Sequence, residues 1–266
     1  MRSATPMGAS VRKRASFLAA HPNCCFCGGV SLATTIDHIP ARACFKGRAY
    51  PEGFEFPACL DCQGRSRHDE QVFSFLVRVM DFNNENFDPK ALDRAVSGMV
   101  NNFPHFLPDF DLSANDKRRS LRQMGISKPS EVLATELPIV GLNPNIHEHI
   151  LRYTRKIACA LFYKEKGRAV PVGYFTWSTW GQVVNPQLRT SLRKFVEMTP
   201  AVAQGRRTNM NFGDQFSYRY NKADDPDVLA VLMQFGRGMV VPLIVIDAAS
   251  MPKMNHQNEW KLALSF

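Results

Sequence analysis

Two Cys-x-x-Cys pairs constrain this chain more than any other feature of its sequence. The first pair is Cys24 and Cys27, and the second is Cys59 and Cys62. Each pair places two thiolates at the tip of a tight turn, where both can bind one metal ion. Four soft ligands at this spacing predict a closed, tetrahedral, structural zinc site. Because Cys25 lies too close to Cys27 for the usual turn, Cys24 is assigned as the ligand.

The composition predicts an intracellular protein that is not embedded in a membrane. With 266 residues, of which 45% are hydrophobic, the chain can bury an adequate core. Seven cysteines are too few for a disulfide scaffold of this size, so the pairs indicate metal in a reducing compartment. No secretion signal is evident, and no apolar run approaches the roughly 20 residues that span a bilayer. We therefore expect a cytoplasmic location.

The charge of the chain favours a polyanionic partner. There are 33 Lys plus Arg against 24 Asp plus Glu, which gives a net charge of +9. Neutralising phosphates releases counterions, so a basic protein gains affinity for nucleic acid. A mildly basic soluble protein explains the charge alone equally well. The candidate nucleic-acid contacts are Arg65, Arg67, Lys117, Arg118 and Arg119.

An acid and a base, Asp37 and His38, stand side by side between the two cysteine pairs. The stretch Val30–Ile39 predicts a strand that Pro40 ends, which places His38 where its side chain can point outwards. A loop and a short returning strand, Phe54–Pro57, follow. Apolar residues at spacings of three and four then predict a helix over Ser66–Phe82. The order is strand, loop, strand and helix, with zinc joining the two ends.

This segment resembles the HNH endonucleases, whose core is the ββα-metal (His-Me) finger. The resemblance covers residues 24–70, under a fifth of the chain. It is closest to a subgroup with a Cys-x-x-Cys, an Ala-Thr-Thr-x-Asp-His-x-Pro strand, a second Cys-x-x-Cys and an Asp-Glu helix in this order. The residues that carry it are Cys24, Cys27, Ala33-Thr34-Thr35-Ile36-Asp37-His38-Ile39-Pro40, Cys59, Cys62 and Asp69-Glu70.

The resemblance implies metal-dependent hydrolysis of phosphodiester bonds in nucleic acid, with double-stranded DNA favoured over RNA. It gives His38 the role of the base that activates water, and a neutral imidazole suits that role at cytoplasmic pH. It gives Asp37 the role of holding a catalytic Mg²⁺ or Mn²⁺. That ion would bind the scissile phosphate and stabilise the leaving oxygen.

One position departs from the family pattern. The residue after the second Cys-x-x-Cys is usually Asn in the family, where it holds the catalytic metal or positions the finger, and here it is Gln63. Gln63 keeps the amide oxygen but extends it by one methylene, so it is a candidate for the same role. His68, at the start of the following helix, is a second candidate ligand for the catalytic ion. A solvated helix residue is the alternative interpretation of His68.

Two classes of function therefore remain open. The first is the metal-dependent nuclease, which the Asp37-His38 pair favours. The second is a non-catalytic, zinc-stabilised module that binds nucleic acid or another partner with a degenerate HNH site, which Gln63 favours. For a nuclease we also expect a homodimer or a regulatory partner, because a free nuclease is toxic and many such fingers act on both strands as dimers.

The predicted fold class is α+β in three parts: the zinc-stapled finger in residues 1–85, a helical connector in 86–135, and an α+β domain with an antiparallel sheet in 136–266. Residues 136–266 contain no catalytic motif, so their role stays open. The elements predicted in this last part are a long helix over Asn145–Lys166, strands over Val170–Trp177, Phe212–Tyr220 and Met239–Ile246, and a strand or short helix over Val228–Phe235.

Overall fold

The computed structural model describes residues 9–81, 88–109, 111–127, 132–133, 136, 139–182, 186–207, 210–225 and 227–250. The outermost residues of the predicted first and last domains, and Phe82 at the end of the predicted finger helix, lie outside these ranges. None of the described helices combines the length and apolar character needed to cross a membrane.

Helices and strands mix in an α+β fold, as the sequence predicts. The described helices are α1 (Ala9–Ala20), α2 (Leu60–Arg65), α3 (Arg67–Met80), α4 (Pro89–Asn102), α5 (Ala114–Gln123), α6 (Ile146–Lys166) and α7 (Pro186–Met198). The described strands are β1 (Thr35–His38), β2 (Glu55–Ala58), β3 (Tyr174–Ser178), β4 (Gly181–Gln182), β5 (Ala201–Gln204), β6 (Arg206–Arg207), β7 (Met210–Asn211), β8 (Phe216–Asp224), β9 (Asp227–Phe235) and β10 (Met239–Asp247).

A ββα segment occupies the region between and after the two cysteine pairs. Strands β1 and β2 pair antiparallel, with His38 opposite Glu55, and α2 and α3 follow. Strand β1 is shorter than predicted because residues before Thr35 bond back to the segment before the first cysteine pair: Leu32 forms an isolated bridge with Asn23, and the N–H of Ala33 donates to the oxygen of Pro22. Gly28 and Gly29 close the turn of the first cysteine pair with φ values of 69° and 83°, which residues with a Cβ rarely adopt. Ser66 separates α2 from α3, so the predicted helix is confirmed and preceded by an extra short helix.

The C-terminal part forms an antiparallel sheet in the order β3-β10-β9-β8-β5, with β4 also pairing with β10. The sequence is compatible with either a strand or a short helix over residues 228–235, and these residues form a strand. Alternate residues of β9 and β10 face two different layers, α6 on one side and Phe195 of α7 on the other. Both faces are therefore covered, which explains the nearly continuous apolar sequence of these two strands.

One hydrophobic core connects the three parts of the chain. Phe73 of α3 contacts Tyr153 of α6 and Phe235 of β9, with ring centroids 4.9 Å and 5.2 Å apart. The same buried cluster includes Phe56 of β2 and Met99 of α4. The segments expected as separate domains thus share a core. Helix α6 is consequently fixed against the ββα segment.

Candidate metal centre and active site

The four predicted zinc ligands lie together. The Sγ atoms of Cys24, Cys27, Cys59 and Cys62 all lie within 4.8 Å of one another. Tetrahedral zinc with Zn–S bonds of about 2.3 Å places its sulfurs about 3.8 Å apart, so the cluster fits this ion with modest contraction. Four thiolates leave no open position, which is the arrangement of a structural site. Cys25 is instead buried in the hydrophobic core, as the assignment of Cys24 requires.

Backbone N–H groups surround three of these sulfurs. Such donors stabilise the negative charge of a thiolate and orient it towards a metal. The three contacts, each 3.4 Å long, run from the N–H of Phe26 to Cys24, of Ser31 to Cys27 and of Cys62 to Cys59. The backbone of Cys25 also donates to the oxygen of Pro57 at 3.0 Å, which ties the first turn to β2.

His38 is the last residue of β1, and its side chain is partly exposed. Its Nε2 is 3.8 Å from Oε1 of Glu55, its cross-strand partner. Tyr50 packs its ring edge against His38, with centroids 4.2 Å apart, and donates its hydroxyl to Glu55 at 2.8 Å. The sequence analysis did not identify Tyr50 or Glu55. The register of the two predicted strands is the signal that places Glu55 opposite His38.

The surroundings of His38 keep its imidazole neutral near pH 7. Burial lowers the pKa of His38 below its ordinary value of 6.5. The charge of Glu55 opposes this effect, and the charges of Arg42 and Arg207 reinforce it. A neutral imidazole can accept a proton from water, which a histidine cation cannot do.

Two arginines flank Tyr50 beside His38. The guanidinium carbons of Arg42 and Arg207 lie 5.4 Å and 4.9 Å from the centroid of the Tyr50 ring. Arg207 belongs to β6 and also donates to the backbone oxygen of Tyr50 at 3.3 Å. The C-terminal part of the chain therefore contributes a cation to the surroundings of His38. Guanidinium groups pair well with phosphate oxygens, so the two arginines suit a nucleic-acid ligand.

Asp37 points into the protein, away from His38, and its carboxylate is engaged. Oδ2 accepts a hydrogen bond from Nζ of Lys156 at 2.5 Å, and both side chains are 8% exposed. Oδ1 accepts the backbone N–H of His38 at 3.0 Å. Lys156 lies on α6 and also donates to Oγ of Ser66 at 2.5 Å. The sequence gives no sign of this contact, because the two charged residues are 119 positions apart.

These contacts do not fit the Mg²⁺ or Mn²⁺ ion expected at Asp37. A divalent ion of this kind needs several oxygen ligands, and the described partners of the Asp37 carboxylate are instead an ammonium and a backbone N–H. Within the described ranges, the cysteine cluster is the single group of three or more His, Cys, Asp and Glu side chains close enough to share an ion.

The other two candidate ligands of the catalytic ion lie on α2 and α3. Gln63 is half-buried on α2, and its backbone oxygen accepts a hydrogen bond from Oγ of Ser66 at 3.2 Å. His68 is exposed on α3 and packs its ring edge against Phe103, with centroids 5.1 Å apart. No described hydrogen bond or ion pair joins either side chain to Asp37.

A second carboxyl group near Asp37 was not identified from the sequence as a site residue. Burial, together with the charge of Asp37, raises the pKa of Glu70 on α3 to about 7. Lys156 opposes both effects. Asp37, Glu70 and Lys156 thus form an interior charge cluster behind β1.

The predicted nucleic-acid contacts differ in their exposure. Arg65 and Arg67 are exposed at the α2–α3 junction, where Arg65 pairs with Asp61 at 2.7 Å. Arg118 and Arg119 are exposed on α5, but Lys117 is buried. Only the arginines are therefore at the surface in this fold.

A cleft of about 430 Å³, here called the α6 cleft, lies between the α2–α3 junction and α6. Its lining includes Arg65, Arg152, Arg155 and Lys156. Asp69 is the carboxylate in this lining, and it already accepts hydrogen bonds from Arg152 and contacts His149 at 2.6 Å. Because Arg65, Arg152 and Lys156 pair with Asp61, Asp69 and Asp37, the net charge of this lining is small.

No family model, curated protein or solved structure matches this chain. The geometry directly supports a four-cysteine site that is consistent with structural zinc.

Proposed function

We propose that this chain is an HNH-type endonuclease that hydrolyses phosphodiester bonds of nucleic acid, with DNA favoured over RNA. The observation that carries the proposal is the position of His38. Its ring lies at the end of β1, partly exposed, neutral near pH 7 and flanked by cations that suit phosphate. The cysteine cluster would hold zinc as a structural support for this arrangement.

In this proposal His38 accepts the proton of the attacking water, whose oxygen bonds to phosphorus while the bond from phosphorus to the leaving oxygen breaks. The leaving oxygen then takes a proton from solvent. Arg42 and Arg207 neutralise charge on the phosphate as the new bond forms. The carboxylate of Glu55 stabilises the imidazolium that results, because an anion near a histidine favours its charged form. Arg207 gives the C-terminal part a role in the site, since it reaches the ring of Tyr50 from β6.

A second candidate is a zinc-stabilised module that binds nucleic acid without cutting it. The pairing of Asp37 with Lys156 favours this candidate, because it occupies the carboxylate that a metal-dependent finger would use. Gln63, which replaces the usual Asn of the family, favours it as well. Both candidates predict nucleic-acid binding, so cleavage has to be measured separately from affinity.

Cleavage of supercoiled plasmid and of labelled single-stranded DNA and RNA distinguishes the two candidates. The zinc-loaded protein is compared with His38→Ala and with His147→Ala, whose histidine lies on α6 and accepts a hydrogen bond from Trp180. We expect His38→Ala to lower the cleavage rate about 10²–10⁴-fold, the usual contribution of a general base, and His147→Ala to leave it unchanged.

Unchanged cleavage by His38→Ala would refute the assignment of the base. Absence of cleavage by the wild type on all three substrates, together with retained affinity in a gel-shift assay, would favour the binding module.

A further inference from the structure

The buried ammonium of Lys156 occupies the place beside Asp37 where a metal-dependent finger would hold its divalent ion. We propose that Lys156 is the resident cation of this site and that it excludes Mg²⁺ and Mn²⁺ from Asp37. The inference rests on the proposed function in one respect, namely that Asp37 stands at the cation position of an HNH-type finger. It assigns helix α6 the role of supplying the positive charge.

Three groups surround the ammonium. Oδ2 of Asp37 and Oγ of Ser66 each accept from Nζ at 2.5 Å, and the ring of Phe26 lies 4.9 Å away. Two oxygen acceptors and one aromatic face match the preferences of an ammonium ion. A divalent ion would instead need several oxygen ligands in octahedral geometry, and Phe26 offers none.

The position of Lys156 is fixed by the packing of α6. Tyr153, one turn earlier on the same helix, is fully buried and its hydroxyl accepts the backbone N–H of Ala41 at 2.8 Å. Ile157, the next residue after Lys156, is also fully buried. Because the helix on both sides of Lys156 is held in the core, the ammonium cannot leave Asp37 by a simple rotation of the helix.

Electrostatics disfavour a second cation at this place. A divalent ion at Asp37 would lie next to a buried ammonium, and like charges repel more strongly in the interior than in water. Arg155, which lines the α6 cleft beside Lys156, adds a further positive charge.

Manganese binding tests the proposal without relying on cleavage. The zinc-loaded full chain is titrated with Mn²⁺, and bound ion is measured by electron paramagnetic resonance. We expect the wild type to show no Mn²⁺ binding that depends on Asp37. We expect Lys156→Met to gain one bound Mn²⁺, because Asp37 and Glu70 then lie in an interior with no neutralising cation. We expect the double variant Lys156→Met/Asp37→Asn to lose this bound Mn²⁺ again.

Arg155→Met is the matched control, since it removes a positive charge from the same cleft but contacts neither Asp37 nor Ser66 in the structure. We expect it to bind no additional Mn²⁺. Wild-type binding that Asp37→Asn removes would overturn the proposal. The proposal would also be overturned if Lys156→Met folds but binds no additional Mn²⁺, because the position beside Asp37 would then not be a cation site.

A measurement on the wild type alone covers the case in which Lys156→Met does not fold. The backbone N–H of His38 contacts Asp37, so Mn²⁺ bound there would broaden the ring signals of His38 in a proton NMR spectrum. Unbroadened signals support the proposal, and broadening contradicts it. Neither result depends on nuclease activity. A cleavage experiment with His38→Ala that refutes the proposed function is therefore distinguishable from a Mn²⁺ experiment that refutes this inference.

Discussion

Nζ of Lys156 and Oδ2 of Asp37 lie 2.5 Å apart inside the protein and join α6 to β1. A buried ion pair of this kind adds little net stability, but loss of one partner leaves an uncompensated charge. The pair therefore specifies how the C-terminal part docks on the ββα segment.

The first prediction concerns this pair. We expect Asp37→Asn and Lys156→Met each to lower the free energy of unfolding by about 3–5 kcal/mol, and the double variant to recover most of that loss. Urea unfolding of zinc-loaded protein measures the three values. Arg155→Met is the control and should change the free energy by less than about 0.5 kcal/mol. If the double variant loses as much free energy of unfolding as the two single variants together, the two charges do not stabilise each other.

The second prediction concerns the pH dependence of cleavage. The rate should rise as pH increases through the pKa of His38 and reach its plateau by neutral pH, because that pKa lies below 6.5. Glu55→Gln removes a charge that raises the pKa, so the rise should move to lower pH. Arg207→Gln removes a charge that lowers it, so the rise should move to higher pH. The pH profile of kcat/KM measures these shifts, and opposite shifts would contradict the assignment of His38.

The third prediction concerns zinc. Cys59→Ser should lose the bound zinc and lower the melting temperature, because a structural site of this type contributes directly to folding. Cys25→Ala should keep one zinc per chain, since Cys25 belongs to the core rather than the cluster. Atomic absorption and thermal unfolding measure the two effects. Equal zinc content in wild type and Cys59→Ser would rule out the four-cysteine site.

The fourth prediction concerns the arginine that β6 contributes. Arg207→Ala should weaken DNA binding and reduce the slope of log K against log salt by about 1, which is the effect of one lost phosphate contact. Fluorescence anisotropy at several salt concentrations measures the slope. Arg94→Ala serves as the control because it removes the same charge from an exposed position on α4, away from His38. An unchanged slope in Arg207→Ala would place this guanidinium outside the DNA-binding surface.

The fifth prediction concerns Glu70, whose pKa is raised from 4.5 to about 7 by burial and by Asp37. Between these values the folded state binds more protons than the unfolded state, so the stability that Glu70 contributes falls as pH rises. Glu70→Gln should therefore lose this pH dependence of stability. At pH 8 its free energy of unfolding should exceed that of the wild type by about 3 kcal/mol. Urea unfolding at pH 5.5 and pH 8 measures it, and a difference independent of pH would contradict the raised pKa.

Local patterns predict much of the fold correctly. Helix α6 ends at Gly167, whose φ of 71° suits a residue without a Cβ, and the predicted helix has nearly the same bounds. Asp88 caps α4 by accepting from the backbone N–H of Ala91, which is a common role of Asp before a helix. Helix α7 was not predicted. It is amphipathic, and its buried face is paired with a sheet face that is formed by distant strands.

Sequence alone determined the parts of this protein that depend on residue type and short spacing. These are the four-cysteine cluster, the strand–loop–strand–helix order and the place of His38 at a strand end. Tertiary structure decided what surrounds those residues. Arg207 reaches Tyr50 from β6, and Lys156 reaches Asp37 from α6, because one shared core holds these elements together. Contacts between residues more than 100 positions apart leave no local pattern, since they arise from packing rather than from periodicity.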